Sequence, residues 1–230
     1  MQNAVVLHED WLAARRDLLQ KEKELTHLRD RVASERLALP WERIEKDYVF
    51  DTLDGPRSLA GLFEGRSQLV VQHFMFAPGW KEGCPSCSFM ADHTDGMNLH
   101  LANHDVTMIA VSRAPLADIE RYRKRMGWTF GWVSSFGSDF NYDFQVSFTP
   151  EEVASGHIDY NFGGWNMTGE EWPGVSAFIK NEAGEVFRTY STYGRGVEVM
   201  MGTYAMLDLT PKGRNEARGM DWVRRHDRYE

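Results

Sequence analysis

Residues 68–111 read QLVVQHFMFAPGWKEGCPSCSFMADHTDGMNLHLANHDVTMIAV. Gln68 to Phe76 holds Leu69, Val70, Val71, Phe74 and Phe76. So continuous an apolar run suits a strand covered on both faces. Pro78-Gly79 marks a turn. The dithiol Cys84-Pro85-Ser86-Cys87 follows, and Met90, His93, Met97 and Leu101 then recur at helical spacing. Val106 to Val111 is a second apolar strand. Strand, turn, cysteine pair, helix and strand together spell a parallel sheet with a helical crossover.

Reading outward, Pro115 opens another helix, with Leu116, Ile119, Tyr122 and Met126 on its apolar face and Gly127 as its stop. Val175 to Ile179 and Val186 to Tyr190 flank the turn Asn181 to Gly184, a hairpin pattern. A helix is expected near Val197 to Leu209, ended by Pro211. The last twenty residues carry six Lys/Arg and four Asp/Glu and read as a solvated tail or a strap. Upstream, Asp47 to Thr52 reads as a short strand, Asp54-Gly55-Pro56 as a turn and Ser58 to Phe63 as a helical turn. His8 to Leu37 reads as one long helix, closed by Leu39-Pro40. Its stripe of Trp11, Leu18, Leu25, Leu28 and Val32 is a docking face, for its own domain or for a second copy of the chain, so a homodimer is the expected assembly. With no internal repeat and no low-complexity linker, residues 1–230 read as one domain: a helical extension over 1–46, a core over 47–209 and a tail over 210–230.

The chain has 230 residues, 42% hydrophobic and 26% charged, which is a globular composition. A net charge of −8 argues against a general nucleic-acid binder, which needs a basic face. No stretch approaches the ~18 consecutive apolar residues of a membrane span. Met1 to Asp10 lacks a basic segment followed by an apolar one, so the chain is read as cytoplasmic, without a membrane partner. Its two cysteines lie three apart. A bridge between them closes a tiny loop and gains little chain entropy. In a reducing compartment such a pair is catalytic or metal-binding rather than structural.

Dithiol exchange needs a thiolate attacker and a second thiol near enough to resolve the mixed disulfide. A C-x-x-C at a helix start meets both needs, because free N–H groups and the macrodipole stabilise a thiolate there. Cys84, nearest the helix end, is read as the attacker, and Cys87, one turn in, as the buried resolver. Pro85 suits the first turn, and Ser86 completes the dipeptide between the cysteines. Two other readings stay open: a zinc or copper site, and a pair of inert buried thiols. For the metal reading, His73, His93, His100 and His104 lie close in sequence to the thiols. His100 and His104 equally suit the end of a helix, where a cation meets the dipole, so no metal is assigned.

The longer motifs carry a resemblance. They are Gly83-Cys84-Pro85-Ser86-Cys87-Ser88-Phe89, Ala110-Val111-Ser112-Arg113-Ala114-Pro115-Leu116, Trp132 to Asp143, Tyr190-Ser191-Thr192-Tyr193-Gly194-Arg195-Gly196 and the tail Trp222-Val223-Arg224-Arg225-His226-Asp227. Over nearly the whole chain they resemble the bacterial family DUF899, placed within the thioredoxin-like superfamily. The resemblance implies an α/β, thioredoxin-like fold: a central mixed sheet flanked by helices, here with a long N-terminal helix, an aromatic-rich insertion and a C-terminal tail. It also implies a dithiol–disulfide oxidoreductase role and supplies no substrate; the dithiol reading calls for a protein or small-molecule disulfide as partner, and no cofactor is assigned. The superfamily places a cis-proline before the strand facing the dithiol, and Trp172-Pro173-Gly174 ahead of Val175 has that pattern, so Trp172 and Pro173, together with Pro85 and Ser86, are expected to position the substrate. Gly83 stands where thioredoxin has Trp, and Pro85-Ser86 replaces Gly-Pro.

Trp128 to Phe148 is dense in aromatics and made loop-like by Gly131, Gly137 and serines. It either lines a groove beside the dithiol or plugs the core. On the first reading Trp80, Arg113, Trp132, Phe136 and Tyr142 form a pocket at the thiols. Two further functions stay open: a thiol peroxidase, in which Cys84 forms a sulfenic acid that Cys87 resolves, and a metal-binding or non-catalytic protein of this fold.

Overall fold

The computed structural model describes residues 3–165 and 169–230. By its contacts the chain divides into two units, Met1–Pro40 and Trp41–Glu230, so the break falls at Pro40 and the tail belongs to the second unit. The first unit is the helix α1, His8–Leu37, as its period indicates. Glu9 and Asp10 sit in its first turn and Arg36 in its last, matching the macrodipole, and an Arg15–Glu22 ion pair at 2.8 Å ties successive turns. None of its residues is buried, and Trp11, Leu18, Leu25, Leu28 and Val32 are all exposed.

The second unit begins with β1 (Glu42–Arg43), β2 (Val49–Phe50), β3 (Arg57–Ser58), a 3-10 turn over Leu59–Phe63 and β4 (Gln68–His73). Then come α2 (Pro85–Asn103), β5 (Val106–Ser112), α3 (Leu116–Met126) and β6 (Gly131–Ser134). The short α4 (Phe140–Asp143) and α5 (Pro150–Ala154) lead to β7 (Ile158–Tyr160), β8 (Gly163–Trp165), β9 (Gly174–Lys180) and β10 (Val186–Tyr193). A 3-10 helix over Gly194–Met200, α6 (Gly202–Leu207) and a final 3-10 turn at His226–Arg228 complete it.

The six-stranded sheet runs β1-β10-β9-β4-β5-β6. β4, β5 and β6 are parallel, joined through α2 and α3, while the hairpin β9–β10 is antiparallel to β4 on its other side. This is a thioredoxin-like fold, with a mixed sheet between helical layers. Strand alternation explains both faces. Leu69, Val71, Ile109, Val111 and Val133 enter one apolar cluster, which Phe50, Phe140, Phe144 and Phe178 complete. Ala110 and Trp132 point to the opposite face, where Cys87, Ala91, Ile119, Tyr122 and Met126 from α2 and α3 meet them. Among the described residues no helix is long and apolar enough to cross a membrane.

Two expectations change and two open readings are settled. The strand at Asp47 to Thr52 shrinks to Val49–Phe50, paired with Arg57–Ser58 across the Gly55 turn, while Asp51 makes an isolated antiparallel bridge to Ser134. The helix expected over Val197 to Leu209 is broken into the Gly194–Met200 turn and α6, because Met201 leaves helical space at φ −108° and ψ 73°. Most of the aromatic insertion is core. Gly131–Ser134 is an edge strand, and Gly131 lies so close to β5 that a Cβ there would sit 3.1 Å from Ile109 Cγ2. The tail is a strap: Val223 is buried in a cluster with Phe89, Met90 and Tyr204.

His73, at the end of β4, is fully buried between Phe140 and Phe144, and its Nε2 meets Ser176 Oγ at 2.8 Å. Burial, aided by the charge of Arg188, pulls its pKa down to about 3. The folded protein therefore keeps a neutral imidazole, while the unfolded chain takes up a proton below about 6.5. Stability is present in full above the unfolded value and is lost as pH falls toward the folded one. From this group alone, unfolding free energy is expected to drop by about 2 kcal/mol between pH 7 and pH 5. His73→Gln is expected to remove that part of the slope in guanidinium titrations at the two pH values.

Candidate functional site

The central strand β4 delivers the chain to one end of the sheet, and the following loop returns to Met75 before α2 begins. The Cys84 N–H donates to the Met75 carbonyl at 3.0 Å, which anchors that return. Cys84 is the N-cap of α2, in extended geometry, and Pro85 occupies the first turn, where its missing N–H leaves no intrahelical bond unmade. The Ser88 N–H and hydroxyl both donate to the Cys84 carbonyl, at 2.9 and 2.8 Å, and close the first turn. Gln72 Nε2 donates to the Cys87 carbonyl at 3.1 Å. Gly83 is required for space. A Cβ there would lie 2.6 Å from Phe74 Cε1 and 2.9 Å from Tyr122 Cε1. No bulkier residue fits ahead of Cys84, which explains the absence of thioredoxin's Trp.

Both cysteines are free thiols, Cys84 half-buried and Cys87 buried. Interaction with the Cys87 side chain is the main reason the Cys84 pKa lies well below the ordinary thiol value. Burial opposes the shift, while the backbone N–H groups of Cys87 and Ser86 and the charge of Arg225 support it. Cys87 is pushed well above the ordinary value by that same interaction, by burial and by the charge on Cys84, with Glu171 adding to the effect. The pair therefore splits into a thiolate at the helix end and a thiol one turn in.

The C-terminal strap fixes the loop that carries Cys84. Arg225 Nη2 donates to the Gly83 carbonyl at 2.7 Å, its Nε to the Tyr122 hydroxyl at 3.0 Å, and its Nη1 pairs with Glu82 at 3.0 Å. Tyr122 in turn bonds Ser88 Oγ at 2.9 Å. His226 pairs with Asp92 of α2 at 2.6 Å, and Asp227 holds Arg125 of α3 at 2.7 Å. Arg225, Tyr122, Ser88 and Glu82 were not singled out from the sequence. The Trp222–Asp227 motif was the available signal, though nothing in it shows where the strap lands.

A cleft of about 640 Å³ opens onto the thiols. Cys84, Ser86, Cys87, Trp172 and Pro173 all line it, so the sequence-predicted dithiol and its expected neighbours do come together. Pro85 lies at the start of α2 outside that lining. The cis bond is overturned: no cis peptide bond occurs among the described residues. Hydrogen bonds hold both sides of the trans Trp172–Pro173 bond in an extended approach to β9. The Trp172 N–H donates to the Val146 carbonyl at 2.8 Å, and the Tyr160 hydroxyl donates to the Pro173 carbonyl at 2.7 Å.

The pocket expected from Trp80, Arg113, Trp132, Phe136 and Tyr142 does not form at the thiols. Trp132 is buried, its ring 4.4 Å from that of Phe74 and its Nε1 donating to Ser112 Oγ at 3.0 Å. Arg113 pairs with the buried Glu171 and donates to the Tyr142 hydroxyl, and both Arg113 and Tyr142 line a separate pocket with Phe136. Trp80 is exposed on the loop between β4 and α2. None of the four histidines lines the cleft. His93 is held between the Phe89 carbonyl and Thr203 Oγ1, both at 2.7 Å, and His100 and His104 end α2. Among the described residues no three of His, Cys, Asp and Glu gather as a metal-ligand group.

The family described as "Bacterial protein of unknown function (DUF899)" matches residues 1–229. No curated protein matches the chain. Among solved structures the chain is similar to peroxidoxin BcpB from Mycobacterium tuberculosis, with a TM-score of 0.46 and 13% identity, covering 69% of this chain and 91% of that one. It is similar to PrxQ from Xylella fastidiosa, with a TM-score of 0.42 and 14% identity over 69% and 88% of the two chains. It is also similar to the mitochondrial 2-Cys peroxiredoxin from Plasmodium falciparum, with a TM-score of 0.43 and 12% identity over 77% and 98%.

The Arg225 contacts generate a prediction. Arg225→Met removes the charge and the fork on Gly83 together. The pH midpoint of Cys84 alkylation, followed by mass spectrometry, is expected to rise by roughly half a unit, the size of one partly screened charge. Arg225→Lys keeps the charge and is expected to recover part of the shift. An unchanged midpoint in Arg225→Met would show that the strap does not act on the thiolate.

Proposed function

We propose that this chain, which belongs to the DUF899 family, is a thiol–disulfide oxidoreductase in which Cys84 attacks and Cys87 resolves. The observation that carries this reading is the asymmetry of the pair. The partly buried Cys84 sits at the helix N-terminus with its pKa depressed, and the buried Cys87 one turn later has its pKa raised by the same side-chain interaction. That is the arrangement in which one sulfur attacks and the other waits.

The Cys84 thiolate attacks one sulfur of a substrate disulfide. A Cys84–sulfur bond forms, the substrate S–S bond breaks, and the first substrate thiolate leaves and takes a proton from water. Cys87 then loses its proton, attacks the Cys84 sulfur and releases the second substrate thiolate. The substrate gains two electrons and becomes two thiols, and the protein is left with a Cys84–Cys87 disulfide. A cellular dithiol reductant returns it to the free thiols. Trp172 and Pro173, on the cleft wall beside the sulfurs, are assigned to positioning the substrate.

Reduced protein mixed with a disulfide under single turnover tests the mechanism. Cys87→Ser is expected to accumulate a mixed disulfide on Cys84 with one equivalent of thiol released. Cys84→Ser is expected to lose on the order of a hundredfold in rate, because the remaining thiol is buried and protonated. A Cys84→Ser protein that keeps the wild-type rate would contradict the reading. Faster oxidation by a hydroperoxide than by any disulfide would assign the pair to a thiol peroxidase instead, with Cys84 sulfenic acid in place of the mixed disulfide.

A further inference from the structure

The cleft is walled opposite α2 by residues that lie outside the sheet: Val197, Met201 and Tyr204, with the strap residues Glu216 and Met220. Four methionines contribute to its apolar lining, with Val197, Trp172 and Pro173 beside them. The methionines are Met75 and Met90, together with Met201 and Met220 from the C-terminal segment. Four charged side chains also line it: Arg195, Glu198, Arg214 and Glu216. Two cations and two anions sum to zero, and each is engaged within the wall. Arg195 pairs with Glu198 at 2.8 Å, and Arg214 pairs with Glu198 at 3.2 Å and with Asp208 at 2.9 Å. Arg214 also stacks on the Tyr204 ring at 4.0 Å. Glu216 accepts from the Tyr204 hydroxyl and Trp222 Nε1, both at 3.1 Å, and from the Met220 N–H at 2.9 Å.

Resting on the dithiol reading, we propose that this cleft selects an uncharged disulfide carrying apolar groups next to its S–S bond. A carboxylate entering would have to compete with Glu198 for a guanidinium and shed its water against thioether and indole surface, which is costly. An apolar substituent loses nothing there and displaces water from methionine surface. Methionine side chains are unbranched and turn about three bonds, so they fit apolar groups of different shape. Polarity rather than outline is therefore what the cleft reads. A volume of about 640 Å³ accommodates the alkyl arms of a small disulfide or the apolar side chains beside a peptide disulfide. The exchange is the one written above.

The test uses the reduced full-length chain under single turnover with four disulfides: dipropyl disulfide, a short peptide disulfide flanked by leucines, cystine and glutathione disulfide. Each rate constant is divided by that of dithiothreitol on the same compound, which removes intrinsic reactivity. The two apolar disulfides are expected to exceed the two charged ones by roughly tenfold or more in this ratio, corresponding to about 1.4 kcal/mol. A preference shared by both apolar compounds supports the class from either source, and preference for the peptide alone places it in a polypeptide partner. Glu198→Gln leaves Arg195 without its carboxylate partner and Arg214 with Asp208 alone, and is expected to raise the glutathione ratio relative to the apolar ones. Met220→Gln, milder for folding, is expected to lower the apolar ratios. Charged disulfides that equal or exceed the apolar ones in the wild-type chain would overturn the substrate class and leave the dithiol reading intact. Failure of all four to oxidise the Cys84–Cys87 pair would overturn both.

Discussion

The interaction between the Cys84 and Cys87 side chains makes two chemically identical residues unequal, lowering the pKa of Cys84 and raising that of Cys87. It exists because one turn of α2 separates them and because β4 and its loop place Cys84 at the end of that helix. Each supporting contact serves this placement. The Met75 carbonyl takes the Cys84 N–H, Gly83 lets the loop pass between Phe74 and Tyr122, and Gln72 holds the carbonyl of Cys87 from the neighbouring strand. The buried Arg113–Glu171 pair adds an electrostatic bias, since the Glu171 charge disfavours ionisation at Cys87.

A second layer comes from the C-terminal part of the chain. Residues 194–220 wall the cleft, and Arg225 to Asp227 lock the loop ahead of Cys84 to α2 and α3. The sheet supplies the sulfurs, whereas the C-terminal segment supplies what surrounds them. The one C-terminal segment thus carries both Arg225, whose charge acts on Cys84, and Glu216 and Met220 of the cleft wall.

The parts of the fold that depend on local pattern were legible in the sequence. Apolar runs marked β4 and β5, and the 3.6-residue period marked α1, α2 and α3. The burial order of the cysteines followed from the helix start. What escaped depended on contacts far apart in the chain. Gly131–Ser134 carries glycine and serine yet pairs with β5, because the edge of a sheet accepts a strand whose own propensity is weak. The break at Met201 that shapes the cleft has no proline to announce it. Arg225 reads as one more charge in a charged tail until the strap is seen to cross the dithiol loop. Pro173 was placed correctly beside the thiols, but its isomer was taken from the superfamily pattern, and hydrogen bonds from Trp172 and Tyr160 fix the extended trans approach instead.

The central claim is that Cys84 and Cys87 form one redox couple. Equilibrating the protein across dithiothreitol redox buffers and counting free thiols by mass spectrometry measures it most directly. The account predicts that both thiols disappear together within one chain, with a two-electron dependence of about 30 mV per tenfold change in the oxidised-to-reduced ratio. Thiols that oxidise independently, or only between chains, or not at all before dithiothreitol is fully oxidised, would contradict it.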